Sequence, residues 1–293
     1  MDSAREVAGL TWWRIIKSTV RVALREDIVN RSAALSFWFL LGFFPLLFAV
    51  FGLLAMIDSG HGSRGILLHS LSHVLPSNAS GLVQQVLSKT TGRVIGYSLV
   101  FSLWTASSAT AGLMDALNGI YDLKEGRPWW KGRLVSTALA VALVAVLVIA
   151  VLLVAYVPIV LHAIAPGTTV VLLWRIVEWP IAAALLILVL LCLYRFAPNV
   201  RDQQWKWLVP GSIVAAVIWA VVSFGFKIYI RNFSNYGVLY GSLGTLVILM
   251  FWFYLGGAAI LIGGAMNSIL EDAAAQRHVQ GAKRRGQNSS AED

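Results

Sequence analysis

Between Leu134 and Leu161 the chain runs without a single charged residue, almost entirely in Val, Ala and Leu. A helix crosses the hydrocarbon core of a bilayer with about 20 apolar residues, so this run can cross at a tilt. In lipid each backbone N–H and C=O needs a partner within the protein, which leaves helix as the open-chain solution. Similar runs occupy 33–57, 94–120, 170–196, 208–230 and 243–270, with polar segments between them. Composition agrees, since only 13% of residues are charged against roughly 25% in soluble domains. The expected fold is an all-α membrane protein, one bundle of six transmembrane helices rather than two domains.

Residues 1–31 form an expected N-terminal segment, 32–271 the six-helix domain, and 272–293 a disordered polar tail. On a helix, Trp13, Ile16, Val20 and Leu24 share one face at 3-to-4 spacing. Arg14, Lys17, Arg21 and Arg25 gather on the adjoining face. That pattern describes an amphipathic helix lying in the membrane interface, drawn to anionic headgroups. Pro45 in the middle of the first span predicts a kink. Residues 58–93 read as a polar extramembrane loop with two short amphipathic pieces, 66–75 and 82–87. Pro210-Gly211 opens the fifth span, where Pro suits a first helical turn.

The net charge of +9 invites a nucleic-acid partner, but the cations sit in short loops rather than in one basic domain. Six crossings put both termini on one side. That side holds most of the 23 Lys and Arg, leaving Arg64, Lys89, Arg93, Arg175, Lys227 and Arg231 opposite. The positive-inside rule then places both termini in the cytoplasm. Trp129, Trp130, Trp205 and Trp207 flank the cytoplasmic span ends as an aromatic belt. Cys192 is the one cysteine, so no intrachain disulfide forms. The first 32 residues hold no uninterrupted apolar core, and no secretory signal peptide is expected.

The residues most costly to place are Asp115 and Asn118, which fall before the second span has ended at Tyr121. A carboxylate at membrane depth normally faces a protein interior or a wet cavity and has a partner. Ser108, Asp115 and Asn118 lie on one helix face. On the sixth span Gly256, Ala259, Gly263, Asn267 and Glu271 also share a face, small enough for close helix approach. Together with Arg31, Ser32 and Ser36, these residues are expected to converge at the cytoplasmic end, with Asp115 paired to Arg31 or another cation. Such a network serves either as a structural lock or as a substrate or proton site. The candidates are Asp115, Asn118, Tyr121, Arg31, Ser36, Asn267 and Glu271.

A second candidate is the Gly-punctuated aromatic segment 232–244, with Asn235, Tyr236, Tyr240 and Gly241. It reads as a tight extracytoplasmic turn or as a re-entrant, gate-like piece, irregular backbone near membrane depth needing cover. His69 and His73 stand at i and i+4 with His61 nearby, but no carboxylate or Cys completes a zinc ligand set. No metal site and no cofactor are expected. Neither a nucleophile elbow, nor a phosphate-cradling loop, nor an H-E-x-x-H pattern occurs.

Three strings resemble the YihY/BrkB family of bacterial inner-membrane proteins: RSAALSFWFLLGFFPLLFAVFGLL, LWTASSATAGLMDALNGIYDLKEGRPWWKGR, and the run from PNVRDQQWKWLVPGS through RNFSNYGVLYGSLG to GGAMNSIL. The resemblance covers residues 15–272, and MDALNxxY and NYGVLYGSLG are its most specific parts. It implies six transmembrane helices, an inner-membrane location and an envelope-related role. Some members are named virulence or serum-resistance factors, or linked to export of lipid or lipopolysaccharide precursors. An older family label, ribonuclease BN, implies tRNA processing. A metal-dependent nuclease needs clustered His and Asp ligands outside the bilayer, and this chain offers none. The expected function is non-enzymatic: movement of an amphipathic envelope molecule, a lipid or lipid-linked precursor, without an ATPase of its own. The alternative is a non-transporting scaffold for envelope assembly. Expected partners are membrane lipids and envelope-assembly proteins, with no nucleic acid.

Overall fold

In the computed structural model the described residues are 12–57, 92–164, 168–200, 203–232, 236–279 and 282–286. Among them all regular structure is helical. Helix α1 spans Trp12–Arg25, α2 Ile28–Ile57, α3 Gly92–Ile120, α4 Trp129–Ile164, α5 Thr168–Phe196, α6 Trp205–Asn232 and α7 Tyr236–Gln276. The two amphipathic pieces expected at 66–75 and 82–87 lie outside the described residues.

Among the described residues five stretches are long and apolar enough to cross a membrane: Ile28–Leu46, Trp129–Val146, Ile176–Phe196, Trp205–Tyr229 and Leu246–Gln276. The sequence pattern leads to an expectation of six. The difference is α3, which occupies almost the residues expected of the second span but carries many polar groups. Ser102, Thr105, Ser107, Thr110 and Asn118 on it are all buried, so they meet protein rather than lipid.

Where the sequence suggests one bundle, the chain divides into two compact units. The first holds Met1–Leu40, Ser107–Ala140 and Leu186–Asp293, the second Leu41–Ala106 and Val141–Leu185. The first unit is built on the crossing of α6 and α7. A Cβ on Gly211 would collide with the Gly263 carbonyl oxygen and the Asn267 side chain. One on Gly263 would collide with the Gly211 carbonyl, the Tyr194 hydroxyl and Ala215. The two backbones therefore touch, an approach that small residues permit. Tyr194 of α5 is fully buried and donates to the Ile260 carbonyl of α7 at 2.6 Å. Helix α1 packs on the same scaffold through Ile15, which clusters with Met266, Leu270 and Val214.

In the second unit α2 and α3 meet where a Cβ on Gly42 would lie 2.9 Å from Thr105 Oγ1. Thr105 is buried, and its hydroxyl bonds back to the Phe101 and Ser102 carbonyls, each at 3.0 Å. That back-bonding satisfies the hydroxyl within its own helix.

Helices α3 and α7 end in the same way. After α3, Asp122 adopts a left-handed φ of 60°. The Leu123 amide donates to the Asn118 carbonyl and the Asp122 amide to Gly119, each at 2.9 Å, which is a Schellman motif. After α7, His278 adopts φ 58°. The Val279 and His278 amides return to Ala274 and Ala275 at 3.1 and 3.0 Å.

Three features differ from the sequence reading. Helix α7 continues past 270 to Gln276, and Arg285 and Gly286 bond to the end of α3, so these parts of the expected disordered tail are structured. Helix α7 also begins at Tyr236. The backbone at Tyr236, Tyr240 and Gly241 is therefore regular helix rather than an irregular turn; Asn235 lies outside the described residues. Trp207 is no belt residue, being 2% exposed, because it stands on the inward face of the first turns of α6. Trp129, Trp130 and Trp205 are exposed, as a belt requires.

Candidate functional site

The end of α3 sets the geometry, since its last turns carry Asp115 and Asn118 and lead into Tyr121. Arg31, near the start of α2, donates from Nη1 to Asp115 Oδ2 and from Nε to the Glu26 carbonyl, both at 2.9 Å. This ion pair is the expected one, but its setting is not. The Asp115 side chain is 80% exposed, because position 115 falls on the outer face of α3, away from the buried Leu113, Leu117 and Ile120. Gly119, one turn on, lies against the pair: a Cβ there would stand 3.0 Å from Glu26 Oε2 and 3.2 Å from Arg31 Nη2. Arg25 adds loose contacts of 3.6 Å to Glu26 and 3.8 Å to Asp122.

Asn118 is buried and makes a different set of bonds. Its Nδ2 donates to Glu125 Oε2 at 2.6 Å, and its Oδ1 accepts from the Asn199 amide at 2.7 Å. Arg127 reinforces the junction by donating to the Pro198 carbonyl at 3.1 Å. Asn118 thus joins the connection after α3 to the connection after α5.

Tyr121 and Glu271 meet through a residue that sequence reasoning misses, Gln203. Its Nε2 lies 3.1 Å from the Tyr121 hydroxyl and 3.1 Å from Glu271 Oε2, and donates to both. All three residues are buried. Burial pushes the Tyr121 hydroxyl well above its ordinary pKa, with the Glu271 carboxylate adding to the effect and the Gln203 bond opposing it.

The C-terminal tail returns to the same place. Arg285 donates to the Ile120 carbonyl at 2.7 Å, Ser268 Oγ to the same carbonyl at 3.3 Å, and the Gly286 amide to the Tyr121 carbonyl at 3.2 Å. A helix end leaves its last carbonyls without intrahelical partners. Here the tail supplies donors together with a cation at the negative end of the dipole. A cavity of about 10 Å³ is lined by Tyr121, Ser268, Glu271 and Lys283 among others, a volume that matches about one water molecule.

Asn267 serves the α6–α7 crossing. It is fully buried, accepts from the Gly211 amide at 2.7 Å and donates to the Leu208 carbonyl at 3.1 Å. Those backbone groups flank Pro210, which has no N–H to give. Ser36 is buried and donates to the Ala33 carbonyl of its own helix at 2.7 Å. In place of one convergence the structure has three separate groups within one unit: Arg31 with Asp115, Asn118 with Glu125, and Tyr121 with Gln203 and Glu271. Asn267 and Ser36 belong to none of them.

The second unit holds a crevice of about 730 Å³ lined by Pro45, Tyr97, Ser98, Val100, Phe101 and Trp104. Its lining is aromatic and aliphatic apart from one serine and the tyrosine hydroxyl.

Sequence reasoning also misses Glu125, Asn199 and Arg285. They sit in polar connections with no periodicity, where a paired residue looks the same as a solvated one. Among the described residues no three His, Cys, Asp or Glu side chains gather as a metal site; His61, His69 and His73 lie outside them.

Several long apolar helices tied together by buried polar side chains define a multi-helix membrane protein. A family model described as Virulence factor BrkB matches residues 19–288. The chain belongs to this family, the one its sequence motifs resemble. It is 30% identical over 249 residues to YfkH of Bacillus subtilis, a protein with a ribonuclease-like name, covering 82% of this chain and 89% of that one. It is 25% identical over 280 residues to a UPF0761 membrane protein of Xanthomonas oryzae pv. oryzae, covering 91% of this chain and 61% of that one. A UPF0761 membrane protein of Xanthomonas axonopodis pv. citri is likewise 25% identical over 280 residues, covering 91% of this chain and 62% of that one. The chain thus spans about three-fifths of these Xanthomonas relatives. No solved structure matches.

Proposed function

We propose that this protein handles an amphipathic envelope lipid or lipid-linked precursor within the bacterial inner membrane, moving it or presenting it for export without an ATPase of its own. The observation that carries this reading is the apolar crevice of about 730 Å³ between α2 and α3, open along one side so that Tyr97, Val100 and Trp104 are half or more exposed. Ligand sites commonly hold about 300–1,000 Å³ and are mostly apolar. Tyr97, Val100, Phe101 and Trp104 would flank an acyl chain there. In this reading α3 also crosses, as the second of six spans, with its polar face turned inward, and both termini lie in the cytoplasm, in keeping with the distribution of Lys and Arg. The activity is non-enzymatic, and its partners are lipids and envelope-assembly proteins.

Native mass spectrometry in mild detergent tests this directly. Wild type should retain a lipid-sized ligand, Val100→Trp should fill the crevice and lose it, and Asp115→Asn should keep it. A wild type that retains no specific ligand, or a folded Val100→Trp that retains as much, would overturn the reading.

A second reading has its own support. Asn118 and Asn267 are buried with both ends of each amide used, as expected of a locked, non-transporting scaffold. Absence of ligand combined with strong destabilisation on Asn118→Ala would favour it.

A further inference from the structure

We infer that α1 is an anchor for an anionic lipid surface, a role carried by three faces that divide the helix between them. The first face is Ile15, Thr19 and Val22, all buried. Ile15 packs beside Met266 and Leu270, so α1 lies level with the later turns of α7. The second face is Trp13, Ile16, Val20 and Leu24, with exposures of 70%, 53%, 52% and 74%. The third is Arg14, Lys17, Arg21 and Arg25, all exposed. Among the described residues Arg14, Lys17 and Arg21 have no acidic partner within salt-bridge distance. Successive helix residues turn by about 100°, so these three sets point along three well-separated directions.

A soluble amphipathic helix has one apolar face and needs only one. Here the face that packs on protein is already occupied, and among the described residues nothing covers the second apolar face. The neighbouring basic face selects among occupants. An apolar stripe beside a row of free cations is complementary to a leaflet that offers acyl chains and phosphates side by side. A protein partner would have to match the same alternation with acidic and apolar stripes. The depth also agrees: Met266 and Leu270 stand in the later turns of a stretch apolar enough to cross a membrane, where headgroups lie. Arg25 differs in having Glu26 and Asp122 nearby, so Arg14, Lys17 and Arg21 are the headgroup cations.

The test uses full-length protein in nanodiscs of phosphatidylcholine with phosphatidylglycerol, comparing wild type with Arg14→Gln/Lys17→Gln/Arg21→Gln. The buried face is untouched, so thermal stability should hold. Native mass spectrometry of the released protein should show phosphatidylglycerol retained in preference to phosphatidylcholine by wild type. In the triple variant that preference should fall on the order of a hundredfold, three cations at an anionic surface each contributing about fivefold. A spin label at Val20→Cys, in a Cys192→Ser background, should be reached by oxygen and shielded from a water-soluble nickel chelate. An unchanged lipid preference in the triple variant overturns the inference. So does a label that the nickel chelate reaches, which puts the face in water, or one shielded from nickel and oxygen alike, which puts it under protein. These variants leave the crevice intact, so failure here is separate from failure of the lipid-handling reading.

Discussion

Adding one methyl group at Gly211 tests the structure at its most exacting point. The Cβ of Gly211→Ala would overlap the Gly263 carbonyl oxygen and the Asn267 side chain. The first is backbone, so relief requires α6 and α7 to move apart. Overpacking of this kind costs about 1–3 kcal/mol. Displacing Asn267 also breaks its bonds to the Gly211 amide and the Leu208 carbonyl, and two such bonds are worth about 1–3 kcal/mol together. The two effects come to about 2–6 kcal/mol. At about 2–4 °C per kcal/mol for a large domain, the melting temperature should fall on the order of 5–20 °C. The assay is thermal unfolding in mild detergent, followed by intrinsic tryptophan fluorescence. Gly225→Ala on the same helix is the control, since a Cβ there meets nothing within 4 Å. If the two variants melt within about 2 °C of each other, the backbone contact at the crossing is not native.

Two further outcomes follow from the site. Asp115→Asn removes one partner of an exposed ion pair, a kind of contact worth about 0–1 kcal/mol, so stability should barely change; a large loss would mean that Asp115 is enclosed. Arg285→Gln removes a donor from the Ile120 carbonyl, and hydrogen exchange at the amides of 121–123 should speed up while that of 213–217 does not. Unchanged exchange at 121–123 would show that the tail does not cap α3.

The positions of the helices were legible because their cause is local. Runs of apolar residues dictate helix in lipid whatever surrounds them, and α4 and α6 fall almost where the pattern puts them. The Arg31–Asp115 pair was also legible, since a costly charge implies a partner. The exposure of Asp115 was not. Helical spacing puts it with Ser108 and Asn118 only to within a wide sector, and the neighbouring helices decide which edge of that sector is covered. Asn267 shows the opposite case. Its place on a small-residue face suggested an interhelical bond, but the groups it bonds are backbone atoms beside Pro210, which no side-chain pattern reveals.

Amino-acid order alone settles the apolar helices other than α3, the polar segments that end them and the uneven distribution of cations. These rest on transfer free energy and backbone hydrogen bonding, which each segment obeys by itself. Packing decided which polar residues became partners. Gln203 reaches Tyr121 and Glu271 across 82 and 68 positions of chain, and Arg285 reaches Ile120 across 165. Such bonds depend on how α3, α6 and α7 pack, through the close approach of α6 and α7 at Gly211 and Gly263 and that of α3 and α7 at Leu117 and Gly264, which no local pattern contains.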